Sequence, residues 1–271
     1  MNWIEALVLG LVQGLTEFLP VSSSGHLAMI GTLFGLSGEE NLAFAIVVHA
    51  ATVLATICVL WQEIFILLKG FLTFKWNQDT QMVCKILLSM IPVGIVGFFF
   101  KKHVEIIFEN GISLIGVMLL FTALLLSFSC FIRPRQKDVI SFKDACLIGI
   151  AQACAILPGL SRSGTTIATG LLLGIKKEAV AKFSFLMVII PVLGEAVLDL
   201  KKGHFSMESL GISPWVLLCG FLAAFISGFL ACRWMLHLVK NSKLIYFAYY
   251  CVMVGLFAVI FSLLKYENGF Y

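Results

Sequence analysis

Residues 112–132 read ISLIGVMLLFTALLLSFSCFI, a stretch without a single charged side chain. Two further stretches, Trp215–Cys232 and Leu244–Leu264, are equally free of charge. An α-helix needs roughly 20 apolar residues to cross the hydrocarbon core of a bilayer, and all three stretches are close to that length. Over the whole chain 60% of the 271 residues are hydrophobic and 13% are charged, whereas about 25% are charged in an ordinary soluble domain. The sequence therefore predicts an all-α, polytopic membrane protein.

Other apolar stretches complete this prediction. Three more spans are predicted at Leu42–Leu60, Ile86–Phe100 and Ala179–Leu198, which makes six. Two stretches are shorter, Ala6–Leu15 and Ala145–Leu157, within the roughly 10 to 14 residues typical of re-entrant segments. Each of the two is followed by Leu-Pro, a Ser/Gly cluster and a second short apolar piece. We expect each to form a helical hairpin that enters the membrane and returns on the same side.

The two halves of the chain resemble each other when one is shifted by about 139 positions. The matching pairs are Gly10 and Gly149, Gln13 and Gln152, Ser22 and Ser161, Ser24 and Ser163, Gly25 and Gly164, Gly31 and Gly170, Gly35 and Gly174, and Phe44 and Phe183. Because each half holds one hairpin and three spans, the second half starts on the opposite side of the membrane, as in inverted-repeat transporters. We expect one integral membrane domain with repeat halves at about 1–135 and 136–271.

The charges of the loops predict the orientation and the partners. Residues 69–85, 133–143, 176–177 and 233–243 contain more Lys and Arg than the other loops, and such loops stay in the cytoplasm. Both termini and the mouth of the first hairpin then face outward. The net charge of +4 is spread over loops, so we expect the bilayer and no nucleic acid as a partner. The oligomeric state is left open, a homodimer included.

The first hairpin turns at a polar break, residues 13–26, which reads QGLTEFLPVSSSGH. Gln13 and Glu17 are four positions apart, so both project from one face of the first half-helix. Pro20 ends that helix, and the serines after it are suited to cap the next helix, whose free N–H groups and positive dipole end attract anions. Ser23 and His26 are three positions apart and can share a face.

The second hairpin turns at residues 157–166, which read LPGLSRSGTT. This second break repeats the capping pattern and adds Arg162, whose planar guanidinium matches phosphate oxygens. In an inverted repeat the two helix N-termini approach each other near the membrane midplane. Two anion sites that face each other would suit a diphosphate.

Structural roles compete with these functional ones. Serines in membrane helices often only satisfy backbone carbonyls, which is the simpler interpretation of Ser22 or Ser163 taken alone. His49 and Glu195, each isolated on an apolar segment, are interpreted as structural. Glu17 and Arg162 differ, because an ion inside the membrane costs several kcal/mol unless it is paired or faces water.

At the two breaks the sequence resembles the undecaprenyl-diphosphate phosphatase family of bacteria, also called the bacitracin-resistance family. The motifs that carry the resemblance are Gln13-Gly14-Leu15-Thr16-Glu17, Pro20-Val21-Ser22-Ser23-Ser24-Gly25-His26 and Pro158-Gly159-Leu160-Ser161-Arg162-Ser163-Gly164-Thr165-Thr166. The resemblance implies hydrolysis of undecaprenyl diphosphate at the outer face of the cytoplasmic membrane, which recycles the carrier lipid for cell-wall synthesis and confers bacitracin resistance. It also implies dependence on a divalent cation, Mg²⁺ or Ca²⁺. The first position of the family's Glu/Gln-xxx-Glu motif is Gln13 in this chain. A neutral Gln cannot act as a base, so a mechanism that needs two carboxylates at this motif does not apply.

The candidate catalytic residues are Glu17, Ser23, His26 and Arg162, and the candidate phosphate-binding residues are Gln13, Ser22, Ser24, Ser161, Ser163 and Thr166. The resemblance maps the nucleophile onto Ser23, with His26 or Glu17 as the group that takes its proton. Glu17 is alternatively the ligand of the cation. Direct attack by water, with Ser23 only binding phosphate, stays open.

Two other functions compete with the phosphatase. A lipid flippase or transporter can be built on the same inverted repeat and broken helices. Such a protein has no need for a nucleophile grouped with a base, as Ser23, Glu17 and His26 are expected to be. A structural scaffold explains neither Glu17 nor Arg162 in lipid.

Overall fold

The computed structural model describes residues 1–36, 38–99, 111–131, 137–201, 212–241 and 244–267. These residues form eleven α-helices: α1 (Trp3–Phe18), α2 (Ser23–Leu33), α3 (Gly38–Val59), α4 (Trp61–Phe71), α5 (Gln78–Phe99), α6 (Gly111–Phe131), α7 (Phe142–Cys154), α8 (Arg162–Leu172), α9 (Lys177–Lys201), α10 (Pro214–Asn241) and α11 (Ile245–Glu267). Within the described ranges there is no β-strand, only an isolated bridge between Lys137 and Ile175. The prediction of an all-α protein is confirmed.

Four helices of the described chain are long and apolar enough to cross a membrane. They are α5, α6, α10 over Pro214–Val239, and α11 over Ile245–Leu264. Helices α3 and α4 pass the same test together, but the chain bends by 77° between them, so they form either a fifth, broken span or a re-entrant segment. The protein is therefore a multi-pass membrane protein.

Parts of the predicted topology fall outside the described residues. The predicted span Ala179–Leu198 lies in α9, but the side chains of residues 195–201, Glu195 among them, are outside the described part. The predicted ends at Phe100 and Ile132, and the loop charges within residues 132–136 and 242–243, are outside it as well.

Each short apolar stretch forms a helix that ends at its polar break. Helix α1 ends at Phe18, and the next residue, Leu19, has an extended backbone with ψ 143°. A residue that precedes a proline is sterically excluded from the helical region, which explains the break before Pro20. Helix α2 then begins at Ser23 and packs against α1, and α8 packs against α7 in the same way after the second break.

The two short helices begin with the same device. Asn2 caps α1 and forms a reciprocal capping box with Glu5, and Ser141 caps α7 and forms one with Asp144. The two boxes are separated by the spacing that relates the sequence halves. Burial would raise the pKa of Asp144, but hydrogen bonds from the backbone and side chain of Ser141 and the charge of Lys137 lower it below its ordinary value. The boxes fix where both hairpins start.

The two hairpins also end alike. Gly35 and Gly174 follow α2 and α8 with φ of 68° and 84°, values that a glycine adopts without steric cost. The next backbone N–H donates to the carbonyl of Gly31 in the first hairpin and of Gly170 in the second, each at 3.0 Å. Local geometry thus recurs at the start and at the end of both hairpins.

Helices of the two sequence halves pack closely against each other. Helix α1 packs on α10, α7 packs on α5, and α6 packs on α11. A Cβ atom at Gly14 would lie 2.0 Å from Ser227 Oγ, and one at Gly149 would lie 2.4 Å from the Ser89 carbonyl oxygen. Small residues permit this close approach between membrane helices. Each short helix is thereby held against a span from the other half, which brings the two breaks together.

Candidate active site

The first break turns sharply at Ser22. This residue has φ 67° and ψ 88°, in the left-handed region. Its hydroxyl accepts a hydrogen bond from the backbone N–H of Gly25 at 3.3 Å and so caps α2. The turn starts α2 at Ser23 and leaves the Ser23 side chain facing the end of α1.

Glu17 is the centre of the site. Its Oε2 accepts hydrogen bonds from the hydroxyl of Ser23 at 2.6 Å and from Nε2 of Gln13 at 2.8 Å. Its Oε1 accepts from Nη2 of Arg162, which is also its ion-pair partner. The Glu17 side chain is only 7% exposed, and a buried charge is stable only when it is paired and hydrogen-bonded. The partners around Glu17 meet that requirement.

Arg162 reaches Glu17 from the other half of the chain. It is the first residue of α8, which is capped by Ser161 through a hydrogen bond from the backbone N–H of Gly164 at 3.1 Å. A small, open cleft lies beside the ion pair, with Glu17, Arg162, Ser163 and Ser184 as its polar lining. The predicted meeting of the two breaks is therefore observed: the Arg162 guanidinium and the N-terminus of α8 lie beside the Glu17 carboxylate.

The predicted phosphate-binding hydroxyls already have protein partners. Ser163 donates to the carbonyl of Leu19 at 3.0 Å and so ties the second break to the first. Thr166 is fully buried and bonds to the carbonyl of Arg162 at 2.8 Å and to the Ser184 hydroxyl at 2.6 Å.

The remaining predicted hydroxyls form two matching pairs. The hydroxyls of Ser22 and Ser24 are 3.4 Å apart, as are those of Ser161 and Ser163. In each pair the first serine caps a helix, α2 or α8. Their phosphate contacts stay a prediction.

The ring nitrogens of His26 bond to groups other than Ser23. Its Nδ1 is 2.8 Å from the carbonyl oxygen of Ser22 and its Nε2 is 2.7 Å from the hydroxyl of Tyr250, whose ring stacks on the imidazole with 5.6 Å between centroids. The hydroxyl of Ser23 bonds to Glu17 instead. Tyr250 was not predicted, because nothing in the sequence indicates that α11 reaches the first break.

A family model described as bacitracin resistance protein BacA matches residues 6–257. The chain belongs to this family. It is 60% identical over 264 residues to the undecaprenyl-diphosphatase of Bacteroides thetaiotaomicron, and the aligned region covers 97% of this chain and 100% of the relative. It is 59% identical over 266 residues to that of Bacteroides fragilis, with 98% and 100% coverage. It is 47% identical over 267 residues to that of Christiangramia forsetii, with 97% and 99% coverage. The resemblance inferred from the motifs at the two breaks is confirmed.

This BacA-family chain has one more histidine at its site. Nε2 of His49, on α3, lies 3.7 Å from Oε2 of Glu17, and Nδ1 lies 2.6 Å from the carbonyl oxygen of Ala45. His49, interpreted from the sequence as structural, is therefore a direct neighbour of the central carboxylate. Its structural role stays a prediction. Its position as a polar interruption of an apolar span was the available signal.

Few groups at the site can hold a metal ion. Among the described residues there is no group of three or more His, Cys, Asp and Glu with the arrangement of a metal site. Two oxygens are nevertheless suited to a hard cation, the Glu17 carboxylate and Oε1 of Gln13, which is buried without a hydrogen-bond partner. Mg²⁺ commonly binds one or two protein oxygens and takes its other ligands from water and substrate phosphate. The site fits such a shared cation better than a cage built from protein alone.

Proposed function

We propose that the chain hydrolyses undecaprenyl diphosphate to undecaprenyl phosphate and inorganic phosphate. The observation that carries this proposal is the arrangement around Glu17, where Ser23 from the first break and Arg162 from the second bind the same carboxylate. A serine hydroxyl, a proton acceptor and a guanidinium in one cleft are the groups that phosphoryl transfer needs. The relatives named undecaprenyl-diphosphatase cover nearly the whole chain, which supports the same substrate.

In the proposed first step, the Ser23 oxygen attacks the terminal phosphorus of the diphosphate. A bond forms between that oxygen and phosphorus, the anhydride P–O bond breaks, and undecaprenyl phosphate leaves with the bonding electron pair. The Ser23 proton passes to Oε2 of Glu17, which already accepts its hydrogen bond. Arg162 and the N-termini of α2 and α8 neutralise the phosphate oxygens. Water then attacks the phosphorus of the phosphoserine and gives up one proton to the medium. The bond between phosphorus and the Ser23 oxygen breaks, and Glu17 returns its proton to that oxygen as inorganic phosphate leaves.

The geometry favours Glu17 over His26 as the group that takes the Ser23 proton. A general base must lie within hydrogen-bond reach of the proton that it accepts. Glu17 satisfies this at 2.6 Å, whereas both ring nitrogens of His26 are occupied by Ser22 and Tyr250. In the alternative mechanism Glu17 activates a water molecule and Ser23 only binds phosphate.

A divalent cation, Mg²⁺ or Ca²⁺, belongs to the proposal. Oε1 of Gln13 would hold it together with substrate phosphate oxygens, and it would supply positive charge to those oxygens. Glu17 would be a ligand only in the alternative in which it does not take the Ser23 proton. Replacing Gln13 by Glu tests this placement, because a second carboxylate should lower the cation concentration that half-maximal phosphate release requires. An unchanged requirement in Gln13→Glu would contradict it.

We also propose the finer topology, with six spans, two re-entrant hairpins and inverted halves, in a bacterial cytoplasmic membrane. The paired capping boxes, the paired glycine ends and the packing of each short helix on the other half support it. The richer positive charge of one set of loops supports a site at the outer face. Recycling of the carrier lipid there would confer resistance to bacitracin. Labelling of Thr32→Cys and Thr73→Cys from outside intact cells, in a background whose eight native cysteines are replaced, would test the orientation, with only the thiol of Thr32→Cys accessible.

A lipid flippase is the second candidate function. The broken helices and the close packing between halves favour it, because transporters use the same design. Phosphate release distinguishes the two functions, because a protein that only flips the lipid releases no phosphate.

The experiment is phosphate release by the purified protein in detergent, with undecaprenyl diphosphate as substrate. We expect repeated turnover that chelator suppresses and that Mg²⁺ or Ca²⁺ restores. Glu63→Gln provides a matched control, because it breaks another ion pair between helices, with Lys182 at 3.1 Å, that does not involve Glu17. No release by the unmodified protein with either cation would reject the phosphatase and leave the flippase.

A further inference from the structure

Tyr250 and His26 connect the last helix of the chain to the first break. A carbonyl oxygen only accepts hydrogen bonds, so Nδ1 of His26 carries a proton and donates to Ser22. In the neutral ring Nε2 is then an acceptor, and the Tyr250 hydroxyl donates to it at 2.7 Å. The chain of donors runs from Tyr250 through His26 to the Ser22 carbonyl.

Ser22, whose carbonyl accepts the hydrogen bond from His26, has an unusual backbone conformation. Ser22 is one of two described residues other than glycine with positive φ, at 67°. A residue with a Cβ atom keeps such a conformation only when its surroundings hold it. At Ser22 the carbonyl accepts from the His26 imidazole at 2.8 Å and, more weakly, from the backbone N–H of His26 at 3.2 Å, and the hydroxyl accepts from the backbone N–H of Gly25.

This turn determines where the nucleophile points. Ser23 follows Ser22 directly, and its hydroxyl lies 2.6 Å from Glu17. A relaxed Ser22 backbone would rotate the start of α2 and lengthen that contact. His26 is buried and Tyr250 is half-exposed, so the pair braces the turn from the side of α11.

We propose that Tyr250 and His26 form a clamp that holds the strained turn at Ser22 and thereby positions Ser23. Tyr250 is a positioning residue, and His26 acts through Ser22 rather than as the base. The inference rests on the proposed phosphatase function and names two residues on which its nucleophile depends.

Two substitutions of His26 separate a clamp from a base. In His26→Asn, Nδ2 occupies roughly the position of the imidazole Nδ1 and can still donate to Ser22. In His26→Gln, Nε2 occupies roughly the position of the imidazole Nε2 and cannot donate to Ser22. The clamp predicts that His26→Asn lowers kcat only roughly 2- to 12-fold, the loss of one neutral hydrogen bond. We expect kcat of His26→Gln to be a further tenfold lower or more, since it releases the strain. KM should change little in both.

The matching test removes the Tyr250 hydroxyl. Tyr250→Phe should lower kcat roughly 2- to 12-fold in the wild-type background and have no further effect in His26→Asn, whose side chain does not reach α11. Tyr249→Phe is the control, because that tyrosine is the adjacent residue and is 60% exposed; it should keep wild-type kcat.

Two kinetic results would overturn the clamp. Equal losses of roughly 10²- to 10⁴-fold in His26→Asn and His26→Gln would make His26 a base. Equal effects of Tyr250→Phe in both backgrounds would show that Tyr250 does not act through His26.

Hydrogen exchange gives a readout that does not depend on activity. Backbone amides of residues 21–27 should exchange fastest in His26→Gln, which loses the donor to Ser22. They should exchange only slightly faster than in the wild type, and to an equal extent, in His26→Asn and Tyr250→Phe, and at the wild-type rate in Tyr249→Phe. Unchanged exchange in His26→Gln would refute the clamp. If the unmodified protein released no phosphate, the proposed function would fail, and the exchange data alone would decide whether the clamp exists.

Discussion

Replacing Glu17 by Gln removes one charge and keeps the shape of the site. The Gln oxygen can still accept the hydrogen bond that Ser23 donates at 2.6 Å to Glu17. It cannot take up the proton, and a positioned base contributes roughly 10²- to 10⁴-fold to a rate. This corresponds to about 3–5 kcal/mol in the barrier. We therefore expect kcat of Glu17→Gln to fall by that factor.

The same substitution predicts an opposite effect on substrate binding. Arg162 pairs with Glu17 in the free protein, so substrate phosphate must compete with that carboxylate for the guanidinium. Removal of the charge frees Arg162, and a hydrogen bond to a charged group contributes about 1.5–3 kcal/mol. KM should stay constant or fall.

Steady-state phosphate release over a range of undecaprenyl diphosphate concentrations separates the two parameters, with Glu63→Gln as the control. A raised KM with nearly normal kcat in Glu17→Gln would refute the assignment. Glu17 would then serve to bind substrate or cation rather than to accept the Ser23 proton.

Three further predictions concern the framework that holds the site. Gly14→Ala should lower the melting temperature by the equivalent of about 1–3 kcal/mol, because its methyl group would meet α10; an unchanged melting temperature would contradict the packing. Thr122→Val should destabilise by about 1–3 kcal/mol, because the backbone N–H of Ser161 then loses its acceptor at 3.0 Å, whereas Thr122→Ser should be milder. Asp144→Asn should be less stable than the wild type at neutral pH. Because the folded pKa of Asp144 is lowered, that difference should vanish as the pH falls below the ordinary value of 3.8 and through the folded pKa; a constant difference would contradict the carboxylate's role.

The helical class and the position of both breaks could be predicted from local signals. Charge-free stretches of bilayer length indicate spans, and the Leu-Pro pairs with the serines after them indicate where one helix ends and the next is capped. Cap positions at Ser22 and Ser161 follow from the same chemistry and are observed. The pairing of Gln13 with Glu17 follows from helical spacing and is observed as well.

The surroundings of His26 and His49 could not be predicted from local sequence. His26 is three positions from Ser23, which predicts that the two side chains lie side by side. In the structure its Nε2 instead bonds to the hydroxyl of Tyr250 on α11, 224 residues away in sequence. His49 was interpreted as structural because it is isolated on an apolar helix. Only the packing of α3 against α1 brings it to Glu17.

The asymmetry of the two halves also has a physical explanation. The first half supplies Glu17 and Ser23, whereas the corresponding part of the second break contains apolar Ala155 and Ile156 before Arg162. Two carboxylates facing each other in a membrane would repel and would need compensating charge. One carboxylate and one guanidinium neutralise each other when no substrate is bound.

The most direct test of the account is the initial rate of phosphate release from undecaprenyl diphosphate by purified wild type, Ser23→Ala and Arg162→Ala. We predict that both variants fall to the background rate. Ser23→Ala should retain the wild-type melting temperature to within a few degrees, whereas Arg162→Ala should melt at a lower temperature because it leaves the buried Glu17 carboxylate without its ion-pair partner. Nearly normal release by Ser23→Ala, with release lost in Arg162→Ala, would contradict the nucleophile and leave a site that activates water. Nearly normal release by both would place the chemistry outside the junction of the two breaks.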